Sequence, residues 1–197
     1  MKEKRGEKPE TPRPVESNNQ EVPKYNIQDI LYDSRQIMLY NVIDNDLAYK
    51  INRQLLALAE IDPKKPIAIW INSPGGYLVD GWSIIDTMRG IPCPIYTFIC
   101  GHACSMAGVI SIAGDKRVMT RNSVWMAHEM TTGGHDYAKK LWDRIDFHKT
   151  EEKKLKKFII DNTKLTKEEV DKAWIGELWL NPNQCKRKGI VDYTTKR

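Results

Sequence analysis

One serine lies where the sequence changes from a strand pattern to a helix pattern. Residues 95–100 form an apolar run that predicts a buried strand, and the Ala/Ile/Val-rich residues 106–113 predict a helix. Between them, Ser105 would expose its hydroxyl beside backbone N–H groups at the positive end of a helix dipole. An acyl-transfer nucleophile needs this combination of an attacking oxygen and donors for the oxyanion. Because serine is also a favoured N-cap residue, the alternative interpretation is that Ser105 only caps the helix.

A serine nucleophile requires a base, and the chain offers four histidines. His102 lies in the turn itself and fits a turn residue. His135 lies in a Gly-rich loop and His148 on the apolar stripe of a helix, so each fits a structural or solvent-facing role. His128 ends an apolar strand, and active sites of α/β proteins collect at the C-terminal ends of strands. A buried, unpaired histidine would be unfavourable there, and Ser105 is a reasonable partner.

The imidazole needs a carboxylate to orient it, and the C-terminal region offers three. Glu177 stands at the beginning of an apolar segment, where an unpaired carboxylate would be unfavourable. Asp171 and Asp192 are alternatives, and their surroundings in the sequence predict that both are exposed. The sequence therefore predicts a triad of Ser105, His128 and Glu177, whose chemistry requires no metal and no organic cofactor.

The elements that must position these residues follow the order β-α-β-α-β-α, which predicts a parallel sheet with crossover helices. The glycines of residues 72–76 predict a sharp turn after the second strand, where a ligand could approach the backbone closely. Strands are predicted at 36–40, 66–71, 95–100, 117–120 and 124–128, and a strand or extended loop at 177–180. Helices are predicted from 44 or 45 to 62, at 79–89, 106–113, 136–162 and 166–174, and from 181 to 189.

Composition, charge and cysteine spacing restrict the domain organisation, the partners and the location of the protein. Residues 1–24 hold four prolines and eleven charges, so we predict a flexible tail over residues 1–26 and one domain over 27–197. The tail fits a propeptide, an altered gate or a disordered extension. The net charge is +5, and the basic run of the long helix is typical of a solvated face, so no nucleic-acid partner is expected. Four cysteines without CxxC spacing, no membrane-length apolar run and no signal-like N-terminus favour a cytoplasmic protein that does not bind membranes.

Three motifs in this order resemble the proteolytic subunit of the Clp protease family. They are Asn72-Ser73-Pro74-Gly75-Gly76, Gly101-x-Ala103-x-Ser105-Met106, and Met126-Ala127-His128 followed by Gly133-Gly134. The resemblance covers residues 28–195. It implies a crotonase-like α/β domain of repeated ββα units with a long projecting handle helix. It also implies a homo-oligomer, a tetradecamer of two stacked heptameric rings with the active sites inside, and an ATP-driven AAA+ unfoldase ring as partner.

The same resemblance implies a role for each site residue. Ser105 matches the nucleophile and His128 the base, while Gly76 and Met106 match the residues whose N–H groups form the oxyanion hole. Residues 136–162 match the handle helix that joins the two rings, and Gly133-Gly134 match the strand that approaches it.

The chain departs from the family in three places. Glu177 stands where the family has an aspartate, and the glutamate can still orient an imidazole if the backbone retreats by about one bond length. Glu129-Met130 alters the segment after the histidine, and the tail lacks the apolar segments expected of axial gating loops. The divergence is similar to that of phage-encoded or plastid-type members.

The function expected from these observations is a serine endopeptidase, the proteolytic subunit of a barrel-shaped, ATP-dependent Clp-type protease that hydrolyses unfolded polypeptides. One alternative, motivated by Glu177, is a catalytically impaired subunit that supports active partners in a mixed ring. Another is a crotonase-like enzyme that acts on acyl-CoA thioesters, although such an enzyme would not need the Ser105–His128 pair.

Overall fold

The computed structural model of the chain describes residues 26–131 and 137–195. Its strands are β1 (Gln36–Ile43), β2 (Ile67–Gly76), β3 (Ile95–Cys104), β4 (Lys116–Met119), β5 (Val124–His128), β6 (Glu177–Leu180) and β7 (Tyr193–Thr194). Its helices are α1 (Ile27–Asp33), α2 (Asn45–Ile61), α3 (Leu78–Gly90), α4 (Met106–Ser111), α5 (Ala138–Asn162), α6 (Lys167–Ala173) and α7 (Pro182–Arg187). The predicted tail up to residue 25, the glycines at 133 and 134, and His135 lie outside the described residues.

The strands form a sheet in the order β1-β2-β3-β4-β7, and neighbours along this path run parallel, as predicted. The two ends of strand β3 pair with different strands. Residues 96–99 pair with β4, whereas residues 102–104 pair in parallel with β5. Strand β6 then adds antiparallel to β5. This division brings the end of β3, the end of β5 and the start of β6 together at one edge.

Strands β2 and β3 are longer than predicted, and the predicted sharp turn at residues 72–76 is wrong. Strand β2 continues through this segment with register shifts, and Gly76 pairs with Ile43 of β1. A Cβ at Gly76 would lie 2.1 Å from the Ile43 carbonyl oxygen, so the glycine serves close strand packing. The buried Ser73 hydroxyl donates to the Asn41 carbonyl at 2.5 Å and accepts the Gly75 N–H at 3.1 Å. These bonds satisfy polar groups that the irregular strand would otherwise leave unpaired.

The helices that cover the sheet follow the predicted periodicity. Asp44 is the N-cap of α2 and accepts the Leu47 N–H at 2.9 Å. Helix α2 buries Ala48, Ile51, Leu55 and Leu58, and α3 buries Trp82, Ile85 and Met88 among others. The predicted capping box is present at α6, where Thr166 and Glu169 bond each other's backbone. The short strand β7, which pairs with β4, was not predicted.

Helix α5 is the long helix that the sequence predicts, and its two halves differ in environment. Leu155 and Ile159 near its C-terminal end are buried in the core. Trp142 and Phe147 in its N-terminal half are 65% and 55% exposed. The first half of α5 therefore presents apolar surface that the described core does not cover. None of the described helices combines the length and the apolar character that crossing a membrane would require.

Candidate active site

The backbone at Ser105 adopts a conformation that is rare for a residue with a side chain. Its φ is 54° and its ψ is −126°. Its N–H donates to the Met126 carbonyl at 2.8 Å, and its carbonyl accepts the Val109 N–H at 3.2 Å. Ser105 occupies the N-cap position of α4, yet its side chain makes no capping hydrogen bond. The interpretation of Ser105 as a simple helix cap is therefore wrong, because the hydroxyl is left available while the backbone carries the strain.

Close packing from β2 explains why the chain turns in this way at the serine. A Cβ at Gly75 would lie 2.7 Å from the Cys104 carbonyl oxygen and 2.7 Å from the Ser105 Cβ. Gly75 has a φ of 99°, which strains any other residue. In the same way, a Cβ at Gly101 would lie 2.4 Å from the Asn72 amide oxygen, which accepts the His102 N–H at 3.2 Å. These glycines therefore let β2 and β3 approach each other and fix the serine turn.

Two backbone N–H groups are candidates for binding an oxyanion. Met106 is the first residue of α4, and the first N–H of a helix has no intrahelical partner. Gly76, at the end of β2, lines the same cavity as Ser105 and Met106. The Met106 side chain is buried against Gly81, where a Cβ would lie 2.2 Å from the Met106 Cγ. This packing holds the start of α4 beside the serine.

The predicted base, His128, is the last residue of β5 and is half-buried. It lines a cavity of about 740 Å³ together with Ser105, Gly76 and Met106. No hydrogen bond joins the Ser105 and His128 side chains within the described part of the chain. Catalytic hydrogen bonds are often long before substrate binds and shorten in the complex. The cavity therefore contains four of the five residues that the sequence assigns to the site.

The fifth residue, Glu177, lies on the neighbouring strand and outside the cavity lining. It begins β6 and pairs directly with His128 in the antiparallel ladder. Directly paired side chains project from the same face, with Cβ atoms about 4.5–5.5 Å apart. The Glu177 side chain is exposed, and its Oε2 accepts the Trp179 indole N–H at 2.7 Å. Among the described residues, no hydrogen bond connects this carboxylate with His128.

The two alternative carboxylates, Asp171 and Asp192, bind basic side chains outside the cavity. Asp171 accepts from Lys167 at 2.5 Å and from Lys156 at 3.3 Å, and the Lys167 hydrogen bond lowers the pKa of Asp171. The prediction that both aspartates are exposed is wrong, because both are partly buried. Asp192 forms an ion pair with Arg117 at 2.8 Å. Burial acts to raise the pKa of Asp192, but the Arg117 hydrogen bonds outweigh it and the pKa is lowered. Neither aspartate pairs with His128.

Cys104, next to the serine, is a packing residue. It is 4% exposed, and burial raises the pKa of its thiol, with a smaller contribution from the negative charge of Glu177. The thiol is therefore protonated at neutral pH and is not a second nucleophile. The influence of Glu177 on Cys104 also indicates that this carboxylate lies near the serine turn.

One histidine has a position that the sequence did not predict. His148, interpreted above as a structural residue of the long helix, lines the same cavity as Ser105. Its place on the stripe with Leu155 was the available signal, because residues about two turns apart share a helix face. His102 lies in β3, away from the cavity lining. Within the described ranges, no group of three or more His, Cys, Asp or Glu side chains could hold a metal ion.

A strained serine at a strand-to-helix turn, with a helix N-terminus beside it and a histidine in the same cavity, defines the class of serine hydrolases. Comparison with known proteins identifies the family, because residues 18–197 match the Clp protease family. The chain belongs to this family and is a serine peptidase with the family's crotonase-like α/β fold. The resemblance found in the three sequence motifs is thereby confirmed.

Curated relatives are similar to the chain over most of its length. The ATP-dependent Clp protease proteolytic subunit 2 of Treponema denticola is 32% identical, over 92% of this chain and 94% of its own. The ATP-dependent Clp protease proteolytic subunit of Streptococcus suis is 30% identical, over 90% of this chain and 93% of its own. The proteolytic subunit 2 of Corynebacterium efficiens is 32% identical over 85% of each chain.

Proposed function

We propose that Ser105, His128 and Glu177 form the catalytic triad of this peptidase, with the Gly76 and Met106 N–H groups as the oxyanion hole. The observation that carries the proposal is the backbone of Ser105, which is held at a φ of 54° without a capping bond. A non-glycine residue in a sparsely populated conformation costs about 1–3 kcal/mol and tends to occur where function requires it. Ser105 and Met106 line the same cavity, which supports a shared role for the hydroxyl and the Met106 N–H.

In the proposed reaction, the Ser105 hydroxyl oxygen attacks the carbonyl carbon of the scissile peptide bond. His128 accepts the hydroxyl proton during the attack and then donates it to the leaving amine, which gives an acyl-enzyme. The Gly76 and Met106 N–H groups donate to the oxyanion, which stabilises the tetrahedral intermediate. Water, deprotonated by His128, then releases the acyl product and regenerates the serine.

Glu177 is the proposed orienting group for His128. The direct pairing of the two residues in the ladder supports this role, because it sets both side chains on one face of the sheet. A carboxylate has two oxygens, and Trp179 occupies Oε2 of Glu177. The other oxygen can accept the imidazole N–H and so select the tautomer that the serine requires.

We extend the proposal to the assembly. The protein would be the proteolytic subunit of a barrel of two stacked heptameric rings that receives unfolded polypeptides from an AAA+ unfoldase in the cytoplasm. The uncovered apolar residues of α5, such as Trp142 and Phe147, support contact with other subunits. The names of the relatives, which are ATP-dependent proteolytic subunits, support the unfoldase, and the four free cysteines fit a reducing compartment.

The test is hydrolysis of a fluorogenic peptide by the purified, assembled full-length protein. We expect Ser105→Ala to lower kcat by about 10⁴-fold or more, because the nucleophile acts as a unit with its base. Ser34→Ala, which removes a hydroxyl outside the cavity, is the matched control and should retain activity. Equal native masses of the wild-type protein and the two variants would show that the substitutions leave assembly intact. Unchanged hydrolysis by Ser105→Ala would overturn the proposal, whereas an inactive wild-type homo-oligomer would favour the impaired-subunit alternative.

A further inference from the structure

The cavity at Ser105 differs in charge from the chain as a whole. The chain has a net charge of +5, yet no lysine or arginine is among the described residues that line this cavity. Most of the wall is apolar, from side chains such as Leu78, Val109 and Leu155. Among the described lining residues, only Asp80 carries a carboxylate. A polypeptide bound with its scissile carbonyl at Ser105 therefore meets an apolar wall with one acidic group.

Asp80 lies in the first turn of α3, at the end of the helix that is next to the cavity. Gly76, Tyr77 and Leu78, which lead into this helix, line the same wall. Helical side chains tilt toward the N-terminal end of their helix, which directs Asp80 toward the cavity. Ile84, one turn further on the same helix face, is fully buried, so this face is turned toward the protein body. Asp80 also borders a smaller groove between α2 and α3, which places it at the edge of the cavity.

The Asp80 side chain is half-buried and has no basic partner in the described part of the chain. Within the described ranges, its carboxylate forms neither a hydrogen bond nor an ion pair. Asp171 and Asp192, by contrast, each bind a basic side chain. An acidic residue in the first turn stabilises a helix through its dipole, which explains why α3 has an aspartate there without supplying a hydrogen bond. A half-buried carboxylate loses part of its hydration, so a cation beside it would be favourable.

Resting on the proposed function, we propose that Asp80 is a specificity-determining residue that favours polypeptides with lysine or arginine close to the scissile bond. Both side chains have a long aliphatic stem that packs on an apolar wall and a cationic end that reaches a carboxylate at its edge. Leucine or phenylalanine would fill the apolar space but leave the carboxylate without a cation. Aspartate or glutamate would be repelled by it.

The test uses internally quenched peptides that differ at one residue, placed in turn at each of the two positions on either side of the scissile bond. This residue is lysine, glutamate, or norleucine, which has a similar stem without the charge. We expect the assembled wild-type protein to cleave the best lysine peptide with a kcat/KM about three- to fivefold above that of its norleucine counterpart, the effect of a partly exposed ion pair. The glutamate peptide should be cleaved most slowly. Added salt should reduce the lysine preference, because ions screen exposed charges.

Variants at Asp80 show whether its charge causes the preference. Asp80→Asn keeps the shape of the side chain and removes the charge, so the ratio of lysine to norleucine cleavage should approach one. Asp80→Lys should reverse the order and favour glutamate. Asp86→Asn is the matched control, because it removes an exposed carboxylate of the same helix outside the cavity lining, and it should keep the wild-type ratio. A ratio measured within one preparation is insensitive to loss of folded protein, so a purely structural role of Asp80 would not change it.

A wild-type ratio near one at all four positions would overturn this inference. A ratio that Asp80→Asn leaves unchanged would overturn it too, because another group would then select the lysine. Ser105→Ala is measured beside these variants to keep the two proposals apart. If it is inactive and the lysine preference is absent, only the specificity proposal fails; if it remains active, the proposed triad fails.

Discussion

Ser105 and Glu177, the two ends of the proposed triad, are held by different kinds of contact. The serine is fixed by backbone hydrogen bonds and by the approach of Gly75, contacts that lie within the sheet. Glu177 is exposed on β6, and within the described residues its carboxylate is held by a hydrogen bond from Trp179. The nucleophile is thus positioned by the fold, whereas the acid is positioned by a neighbouring side chain. Substitutions that disturb Ser105 and substitutions at Glu177 should therefore lower the activity by different factors.

Among substitutions that leave the nucleophile in place, the largest effect is expected from Gly75→Ala, which disturbs the backbone at Ser105. The added Cβ would meet the Cys104 carbonyl oxygen and the Ser105 Cβ at 2.7 Å, and neither can move without shifting the turn. Because a displacement of about 1 Å at a reacting group costs about 100-fold, we expect kcat/KM to fall by about that factor.

The control for this change is Gly90→Ala, where a Cβ would meet nothing within 4 Å. It should retain full activity. The measurement is kcat/KM, with a circular dichroism spectrum to show that the sheet remains folded. If Gly75→Ala were as active as Gly90→Ala, the close packing of β2 would not position the nucleophile.

A smaller effect is expected at the acid. Glu177→Gln removes the charge that stabilises the imidazolium, and we expect kcat to fall about 10- to 100-fold. This is less than the ~10⁴-fold loss when the buried acid of another triad is neutralised, because solvent reaches this carboxylate. Glu177→Asp keeps the charge and should stay within about threefold of wild type. If Glu177→Gln were as active as Glu177→Asp, the carboxylate would have no part in the reaction.

The smallest effect is expected from Trp179→Phe, which keeps the aromatic ring and removes the N–H. Loss of this one anchoring bond should lower kcat about two- to fivefold and leave KM nearly unchanged, because Trp179 does not line the cavity.

A double variant tests whether Trp179 acts only through the Glu177 carboxylate. In a Glu177→Asp background, the shorter side chain already gives up the Trp179 bond, so adding Trp179→Phe should cost little more. Fully additive losses in the double variant would show that Trp179 acts by another route.

The sequence predicts local features of this fold well. Strands β5 and β6 have the predicted bounds, since alternation and flanking turns define them locally. The course of residues 72–76 could not be predicted, because their glycines serve contacts with Ile43 and Ser105, which are distant in sequence. Likewise, the ion pair of Asp192 with Arg117 joins β4 to the region before β7. Contacts between remote segments leave no periodic signal.

In the candidate site, too, local features could be predicted from the sequence, whereas contacts between remote segments could not. Residue types and motifs sufficed to choose Ser105, His128, Gly76 and Met106, which the fold brings to one cavity. The placement of Glu177 opposite His128 required the register of β6, which the sequence does not specify. His148 was assigned a structural role, and its helix face shared with Leu155 was the one sequence signal that it could line the same cavity.

The most direct measurement of the central claim is covalent labelling with a serine-directed fluorophosphonate, followed by mass spectrometry of peptides from the assembled wild-type protein. If Ser105 is the nucleophile, each subunit should carry one adduct, located on Ser105, and none on the neighbouring Ser111, which is buried. Labelling should disappear in Ser105→Ala and persist, more slowly, in Glu177→Gln. An active protein that carries the adduct on another serine, or that stays unlabelled, would contradict the assignment of Ser105 as the nucleophile.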